Sequence, residues 1–261
     1  MSRPAASSRV LIIVPAWNEQ DSVGATVAEI RATNPGLDVL VIDDGSADAT
    51  AERAEQAGAA VCRLPFNLGV GGAMRAGYRY GLRNGYDAAV QVDADGQHDP
   101  AFIPVLLDKL SEADVVIGAR FARDGDPYQV RGPRRWAMVL LAKVLSRLAR
   151  TRLTDVTSGN RACNLRAMGV FAAHYPAEYL GDTVESLVIA TRMGCTVTQV
   201  PVDMRPRAAG RASSSPVRAA IYLLRAVVAL SMALVRRWPT SFAEGATQQS
   251  VLDGDQEAVS R

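Results

Sequence analysis

The sequence predicts an α/β protein with a mostly parallel central sheet and helices on both of its faces. Two observations support this prediction. Short apolar runs of strand length alternate with helix-like segments across residues 10–118, and each run ends in polar residues. The chain has 261 residues, 48% of them hydrophobic, which is enough for one sizeable core plus appendages. In such sheets ligands bind outside the carboxyl ends of the strands, where these polar residues fall.

Two predicted strands open the chain. Residues 10–14 form an apolar run, and polar residues 18–20 and a helical pattern follow it. Residues 39–42 form a second apolar run, which two adjacent carboxylates, Asp43 and Asp44, follow. Polar groups therefore lie at the end of each of these strands.

Three further strands are predicted over residues 60–64, 88–90 and 114–118. A glycine-containing string, residues 67–73, follows the first of them and superficially resembles a dinucleotide-binding loop. Its spacing does not match that motif, because Met74 stands where the last glycine would be. We therefore do not predict dinucleotide binding.

The main candidate for chemistry follows the fourth strand. Asp93 and Asp95 lie one residue apart, and Gln97 adds an amide oxygen. Such oxygen ligands suit Mg²⁺ or Mn²⁺, particularly when substrate phosphates complete the coordination shell. We expect Asp95 to be an exposed loop carboxylate. The alternative is a polar turn in which aspartate and glycine serve only the turn geometry.

Two segments combine basic and apolar residues without any acidic residue. Residues 127–154 contain seven basic residues, and residues 204–238 contain seven more. This combination favours an anionic membrane surface or a lipid phosphate over nucleic acid as the partner. We interpret residues 126–152 and 216–238 as amphipathic interfacial segments. Packing against the core or a partner subunit is the alternative, since periodicity cannot distinguish a membrane from a protein face.

The remaining features concern the ends of the chain and its compartment. Residues 1–8 are predicted to be a flexible N-terminus, and residues 239–261 a disordered acidic tail. We see neither a signal-peptide core nor an uncharged apolar run of transmembrane length. Three widely spaced cysteines favour a reducing compartment. We therefore expect a cytoplasmic protein, peripheral on the inner face of the cell membrane.

Taken in order, the polar strings resemble those of family-2 glycosyltransferases with the GT-A fold. Within that family they are similar to the dolichyl-phosphate mannose synthase-like branch of polyprenyl-phosphate glycosyltransferases. The matching strings are Val14 to Glu19, Asp43 to Ser46, Asn67-x-Gly69, Asp93-x-Asp95-x-Gln97-His98 and Gly118-x-Arg120. The resemblance covers residues 9–215, which it implies are one GT-A domain followed by C-terminal amphipathic interfacial helices.

The resemblance also implies roles for the matched residues. Nucleotide-sugar binding falls on Pro15, Asn18, Glu19, Asp43, Asp44, Asn67, Gly69, Asp93 and Ala94. Binding of Mg²⁺ or Mn²⁺ falls on Asp93, Asp95 and Gln97. Catalytic roles fall on Asp95, Arg120, Asp182 and Glu185. Binding of the acceptor phosphate falls on Arg120, Arg134, Arg207 and Ser213.

The second half departs from the motifs of that branch. In the string Asp155 to Arg161, Asn160 stands where an aromatic residue is expected. Met138 stands where a serine is usual, and the late motif that begins at Arg207 lacks its lysine. These departures leave the enzyme class intact, and they leave the sugar and the acceptor unassigned.

The expected activity is inverting transfer of one sugar from GDP-mannose or a UDP-sugar to a polyprenyl phosphate. Such a phosphate is largely ionised at neutral pH, so it attacks without a general base. One alternative is a hydroxyl acceptor in cell-envelope polysaccharide or glycolipid synthesis, for which Asp182 or Glu185 would act as the base. Another is a non-catalytic nucleotide-sugar-binding subunit that supports a small membrane-protein partner.

Overall fold

A computed structural model describes residues 8–120, 133–176 and 182–205 of the chain. Its strands are β1 (Val10–Ala16), β2 (Asp38–Asp43), β3 (Ala60–Arg63), β4 (Ala88–Gln91), β5 (Val115–Ala119), β6 (Arg161–Asn164) and β7 (Val197–Pro201). Its helices are α1 (Val23–Thr33), α2 (Thr50–Gln56), α3 (Val70–Arg83), α4 (Ile103–Lys109), α5 (Pro133–Ala149), α6 (Leu165–His174) and α7 (Asp182–Arg192). A short 3₁₀ turn, Pro100–Phe102, precedes α4.

The seven strands form one sheet in the order β3-β2-β1-β4-β6-β5-β7. Every neighbouring pair is parallel except the two that involve β6, which runs antiparallel between β4 and β5. The predicted α/β fold with a mostly parallel sheet is therefore confirmed. The sequence analysis missed β6 and β7, which are short and carry polar residues instead of a continuous apolar run.

Helices cover both faces of the sheet, as expected. Alternate side chains of β1 point to opposite faces, so Leu11 and Ile13 join one core cluster while Ile12 and Val14 join the other. The first cluster also takes buried residues from α3, α5, α6 and α7. The second takes them from α1, α2 and α4. Burial on both faces explains the continuous apolar runs that mark the strands in the sequence.

Helix α3 approaches the sheet closely. A Cβ atom at Gly77 would lie 2.5 Å from Cγ2 of Ile13, and one at Gly81 would lie 2.9 Å from Sδ of Met168. Two glycines on the buried side of the helix therefore let its backbone pack against β1 and α6. This packing fixes the start of α3 at the carboxyl edge of the sheet.

The strand order reverses direction between β1 and β4. From β1 the chain proceeds to β2 and β3 on one side, and β4 pairs with the other side of β1. In open α/β sheets a crevice forms at such a switch point, outside the carboxyl ends of the strands. The loops after β1 and β4, which carry Glu19 and Asp93, flank this crevice.

Several expectations fall outside the described residues. They concern the terminal segments 216–238 and 239–261, most of the flexible N-terminus 1–8, and the residues Arg207 and Ser213. Within the described part of the chain, no helix has the length and apolar character needed to cross a membrane.

Candidate active site

Five loops meet at the carboxyl edge of the sheet. Four of them follow the parallel strands β1 to β4, and they carry most of the polar residues singled out in the sequence. The fifth, residues 155–160, leads into β6, whose antiparallel direction places its start at this same edge. The predicted donor-side residues on these loops are Asn18, Glu19, Asp43, Asp44, Asn67, Gly69, Asp93, Ala94, Asp95 and Gln97.

The loops after β1 and β2 are tied together by hydrogen bonds. The backbone N–H of Asn18 donates to Oγ of Ser46 at 2.9 Å, and that of Glu19 donates to Oγ1 of Thr50 at 2.8 Å. The Glu19 carboxylate accepts a bond of 2.7 Å from the hydroxyl of Ser22. Residues 18 and 19 are thus held in place by the loop that follows β2, next to half-buried Pro15.

Asp44 binds the loop that begins α3. Its carboxylate accepts a hydrogen bond of 2.7 Å from the backbone N–H of Leu68, and Oδ1 of Asn67 accepts one of 3.0 Å from Gly69. Burial raises the pKa of Asp44 above its ordinary value, although the bonds from Leu68 and Gly69 oppose that shift. Since protein oxygens already satisfy these N–H groups, the glycine string does not offer the phosphate cradle of a dinucleotide-binding loop.

Asp93 presents its carboxylate to the crevice, with 40% of the side chain exposed. Nε2 of Gln91 donates to one carboxylate oxygen at 3.2 Å. The buried ring of His98 supports the loop from below, because its Nδ1 accepts the backbone N–H of Asp93 at 3.0 Å. His98 therefore positions Asp93, in keeping with a structural role.

Asp95 differs from its expected setting. Only 5% of the residue is exposed, and Oδ1 accepts a hydrogen bond of 3.0 Å from the backbone N–H of Gln97. The expectation of an exposed loop carboxylate is therefore wrong, because the turn over residues 95–97 folds this side chain inward. Asp93 is the more accessible of the two aspartates.

The oxygen atoms around Asp93 fit a hard divalent cation. Oε1 of Gln91 is buried and lacks a hydrogen-bond partner, and a Cβ atom at Gly159 would lie 3.1 Å from both carboxylate oxygens of Asp93. Glycine at position 159 thus leaves room beside the carboxylate. Among the described residues no group of three or more His, Cys, Asp and Glu forms a protein-only metal site. A cation here would need further ligands from a substrate, as Mg²⁺ commonly does.

Arg120 forms a bidentate ion pair with Asp155. Nε and Nη2 donate to the two carboxylate oxygens at 2.6 and 2.9 Å, and Nη2 also donates to Oγ1 of Thr157 at 3.2 Å. Asp155 is fully buried and Arg120 only partly. The sequence analysis missed Asp155 as a site residue, although its place ahead of a buried strand at the carboxyl edge is a usable signal.

Arg161 was also missed, and its environment is unusual. The residue is 2% exposed, and its guanidinium donates to the carbonyl oxygens of Val156, Ser158 and Thr183 and to Oγ of Ser186, each at 2.8–2.9 Å. Among the described side chains it has no carboxylate partner. It joins the loop before β6 to the first turns of α7.

The chain after β7 crosses back over the site. Arg205 donates its backbone N–H to the carbonyl of Gln97 at 3.0 Å, and Met204 forms an isolated bridge with His98. The Arg205 guanidinium pairs with Asp99 at 2.9 Å. Residues 204–205 therefore brace the loop that carries the two aspartates, a contact that the sequence analysis did not predict.

The acceptor-side residues are described only in part. Arg134 lies in the first turn of α5, and Asp182 and Glu185 lie in the first turn of α7. Glu185 is half-buried. Helix α5 packs against α7. Arg134 therefore lies on a helix that neighbours the one carrying Asp182 and Glu185.

Comparison with known structures defines the class of the fold. The chain is similar to glucosyl-3-phosphoglycerate synthase from Mycobacterium tuberculosis, crystallised with Mn²⁺, uridine diphosphate and phosphoglyceric acid. The TM-score is 0.67 at 20% identity, covering 89% of this chain and 81% of that one. The fold is that of the GT-A glycosyltransferases.

The chain belongs to glycosyl transferase family 2, whose pattern matches residues 11–171. It is 35% identical to an undecaprenyl-phosphate mannosyltransferase from Micrococcus luteus, over 79% of this chain and 88% of that protein. It is 30% identical to a polyprenol monophosphomannose synthase from Mycolicibacterium smegmatis, over 83% and 85% of the two chains. The protein is therefore a glycosyltransferase, as the sequence analysis predicted.

Proposed function

We propose that this protein transfers one sugar from a nucleotide-diphosphate sugar to a polyprenyl phosphate, with inversion at the anomeric carbon. The names of the two relatives support this proposal, since both denote mannosyl transfer to a polyprenyl lipid. Mannose is therefore the first sugar to test, with GDP-mannose and UDP-sugars as donors. The enzyme would work as a peripheral protein on the inner face of the membrane.

The observation that carries the proposal is the position of Asp93. It lies at the switch point between β1 and β4, keeps 40% of its side chain exposed, and is oriented by Gln91 and His98. A carboxylate held in this way at the mouth of the crevice suits a site for a charged donor. Glu19 and Asp44, with the loops they support, are proposed to hold the base and ribose beside it.

Asp93, Asp95 and Gln97 are the proposed ligands of Mg²⁺ or Mn²⁺. When bound, such an ion neutralises the charge that develops on the departing diphosphate. The inward turn of Asp95 gives the two aspartates different tasks. Asp93 faces the crevice, whereas Asp95 also shapes the loop through its bond to the Gln97 N–H.

On the acceptor side, the Asp155 carboxylate holds the guanidinium of Arg120 at the edge of β5. We propose that Arg120 supplies positive charge near the phosphates from this fixed position. Arg134, Arg207 and Ser213 are the further proposed contacts of the acceptor phosphate. An ionised lipid phosphate needs no proton acceptor, so Glu185 and Asp182 would act as a base only for a hydroxyl acceptor.

The test compares two acceptors that differ in one group. Purified full-length protein, Mn²⁺ and labelled nucleotide sugars are incubated with either a polyprenyl phosphate or the polyprenol of equal length. We expect a labelled lipid only with the phosphate, and we expect Glu185→Gln to retain its formation within about threefold, because no base is needed. Product from the polyprenol, with loss of activity in Glu185→Gln, would instead establish the hydroxyl-acceptor alternative.

A further inference from the structure

A basic cavity adjoins helix α5. It measures about 830 Å³ and lies between the C-terminal half of α5 and the loop over residues 150–154. None of its lining residues is acidic. Four of them are cationic and exposed, namely Lys143, Arg147, Arg150 and Arg152. None of the four side chains forms an ion pair or a hydrogen bond within the described structure. Like charges gathered without counter-ions repel one another, so the cavity is electrostatically suited to an anion.

The helix dipole does not account for this concentration of charge. A helix C-terminus carries roughly half a negative charge, which favours cations in the last turn. Arg147 lies in that turn, but Lys143 precedes it and Arg152 follows the end of the helix. Four positive charges exceed the dipole charge several-fold, so the cavity keeps a positive potential.

Apolar side chains adjoin the cations on the same helix. Val139 lines the cavity one turn before Lys143, and neighbouring Leu140 is 53% exposed. The opposite face of the helix is buried in the core through Leu141 and Leu145. Apolar groups beside cations match a bilayer surface, where the former reach the acyl boundary and the latter remain with the phosphates. A free phosphate ion would leave the apolar residues without a partner.

We infer that this cavity binds the anionic headgroup of a membrane phospholipid. None of the four cations belongs to the proposed acceptor contacts. The site rests on the proposed function only for placing the enzyme at a membrane, and it names α5 and residues 150–154 as the surface that contacts the lipid. Binding there would orient the protein so that α5 lies along the membrane plane.

The test measures binding of the full-length protein to vesicles of phosphatidylcholine, with and without phosphatidylglycerol. Each basic residue near an anionic surface raises affinity about fivefold, so the double variant Lys143→Gln/Arg147→Gln should bind anionic vesicles roughly 25-fold more weakly. Arg150→Gln/Arg152→Gln should behave alike. The matched control is Arg53→Gln on α2, an exposed arginine that makes no side-chain ion pair in the described structure and should bind like wild type.

Two outcomes would overturn the site. One is wild-type vesicle binding by both double variants, after thermal unfolding has shown that they fold. The other is weakening of about fivefold by Arg53→Gln, the same loss per charge as in the double variants, which would make the effect one of net charge alone.

Sugar transfer to a short, water-soluble polyprenyl phosphate without vesicles separates this inference from the proposed function. We expect wild-type rates from both double variants in that assay. If the variants transfer sugar normally and bind vesicles like wild type, the headgroup site is refuted and the proposed function stands. If the double variants bind anionic vesicles more weakly but wild type transfers sugar to no polyprenyl phosphate, the headgroup site is supported and the proposed acceptor is refuted.

Discussion

The two edges of the sheet hold carboxylates whose pKa values are shifted in opposite directions. At the carboxyl edge, burial raises the pKa of Asp44, and its hydrogen bonds do not fully offset that effect. At the amino edge, burial also raises the pKa of Asp114, but bonds from Thr196 and Asn164 outweigh it, and the net pKa falls below its ordinary value. Ionised Asp114 therefore stabilises the folded state, whereas ionised Asp44 opposes folding.

The opposite pKa shifts correspond to two roles, a structural one for Asp114 and a functional one for Asp44. Asp114 ties the start of β5 to Thr196, which precedes β7, through bonds of 2.7 and 3.0 Å to its backbone and hydroxyl groups. Asp44 instead sits at the end of β2, where the candidate site lies, at a cost in stability. Carboxylates with perturbed pKa values cluster at functional sites for this reason. Substitutions at the carboxyl edge should thus reduce activity, and those at the amino edge should reduce stability.

Arg161 should be the exception, with the largest effect on stability at the carboxyl edge. Arg161→Met keeps an apolar stem but leaves three carbonyl groups and a hydroxyl without their buried donor, which should cost about 3–5 kcal/mol of unfolding free energy. Urea unfolding measures this change. Ser186→Ala, which removes one of the four bonds, should cost about 1 kcal/mol. A loss below that of Ser186→Ala would show that the carbonyls are satisfied in another way.

Asp93→Asn should give the next largest effect, and only on catalysis. Weaker binding of the cation that neutralises the departing diphosphate should lower turnover about 100- to 1000-fold. Unfolding free energy should change by less than about 0.5 kcal/mol, because the side chain is partly exposed. Steady-state kinetics and thermal unfolding measure the two quantities.

Asp87→Asn is the matched control for Asp93. Asp87 precedes β4 at the amino edge, where its carboxylate accepts the backbone N–H of Arg9 at 2.9 Å. This variant should turn over like wild type. Equal loss of activity in both variants would refute the functional difference between the two edges.

Asp114→Asn should reduce stability and leave turnover unchanged. Loss of charge-assisted hydrogen bonds at this half-buried carboxylate should cost about 2 kcal/mol at neutral pH. Since the folded pKa lies below the unfolded value of 3.8, this contribution is present above that value and is lost as the pH falls through the folded pKa. Urea unfolding at neutral and acidic pH should show the two proteins converging in acid. A difference independent of pH would assign the effect to packing.

Asp44→Asn should have the smallest effect on stability. An asparagine oxygen can still accept the Leu68 N–H, so stability at neutral pH should stay within about 1 kcal/mol of wild type. Because the folded pKa of Asp44 is raised, wild type should lose stability relative to the variant as the pH rises through that pKa. The Michaelis constant for the nucleotide sugar should increase. An unchanged constant would remove Asp44 from the proposed donor contacts.

The sequence alone was sufficient for the fold class and for one half of the candidate site. Apolar runs predicted β1 to β5, because strands buried on both faces need apolar residues at nearly every position. The polar strings behind those strands predicted where Glu19, Asp44 and Asp93 would meet, since parallel strands end at a common edge. Resemblance across the ordered strings identified the family.

Only the tertiary structure decided how the other half is held together. Arg120 and Asp155 are 35 residues apart in the chain, and they meet because β6 inserts antiparallel between β4 and β5. Arg161 reaches α7 for the same reason, and the inward turn of Asp95 depends on its bond to Gln97. Periodicity reports how much of one element is buried, whereas the pairing of distant charges depends on strand order, which a local pattern does not encode.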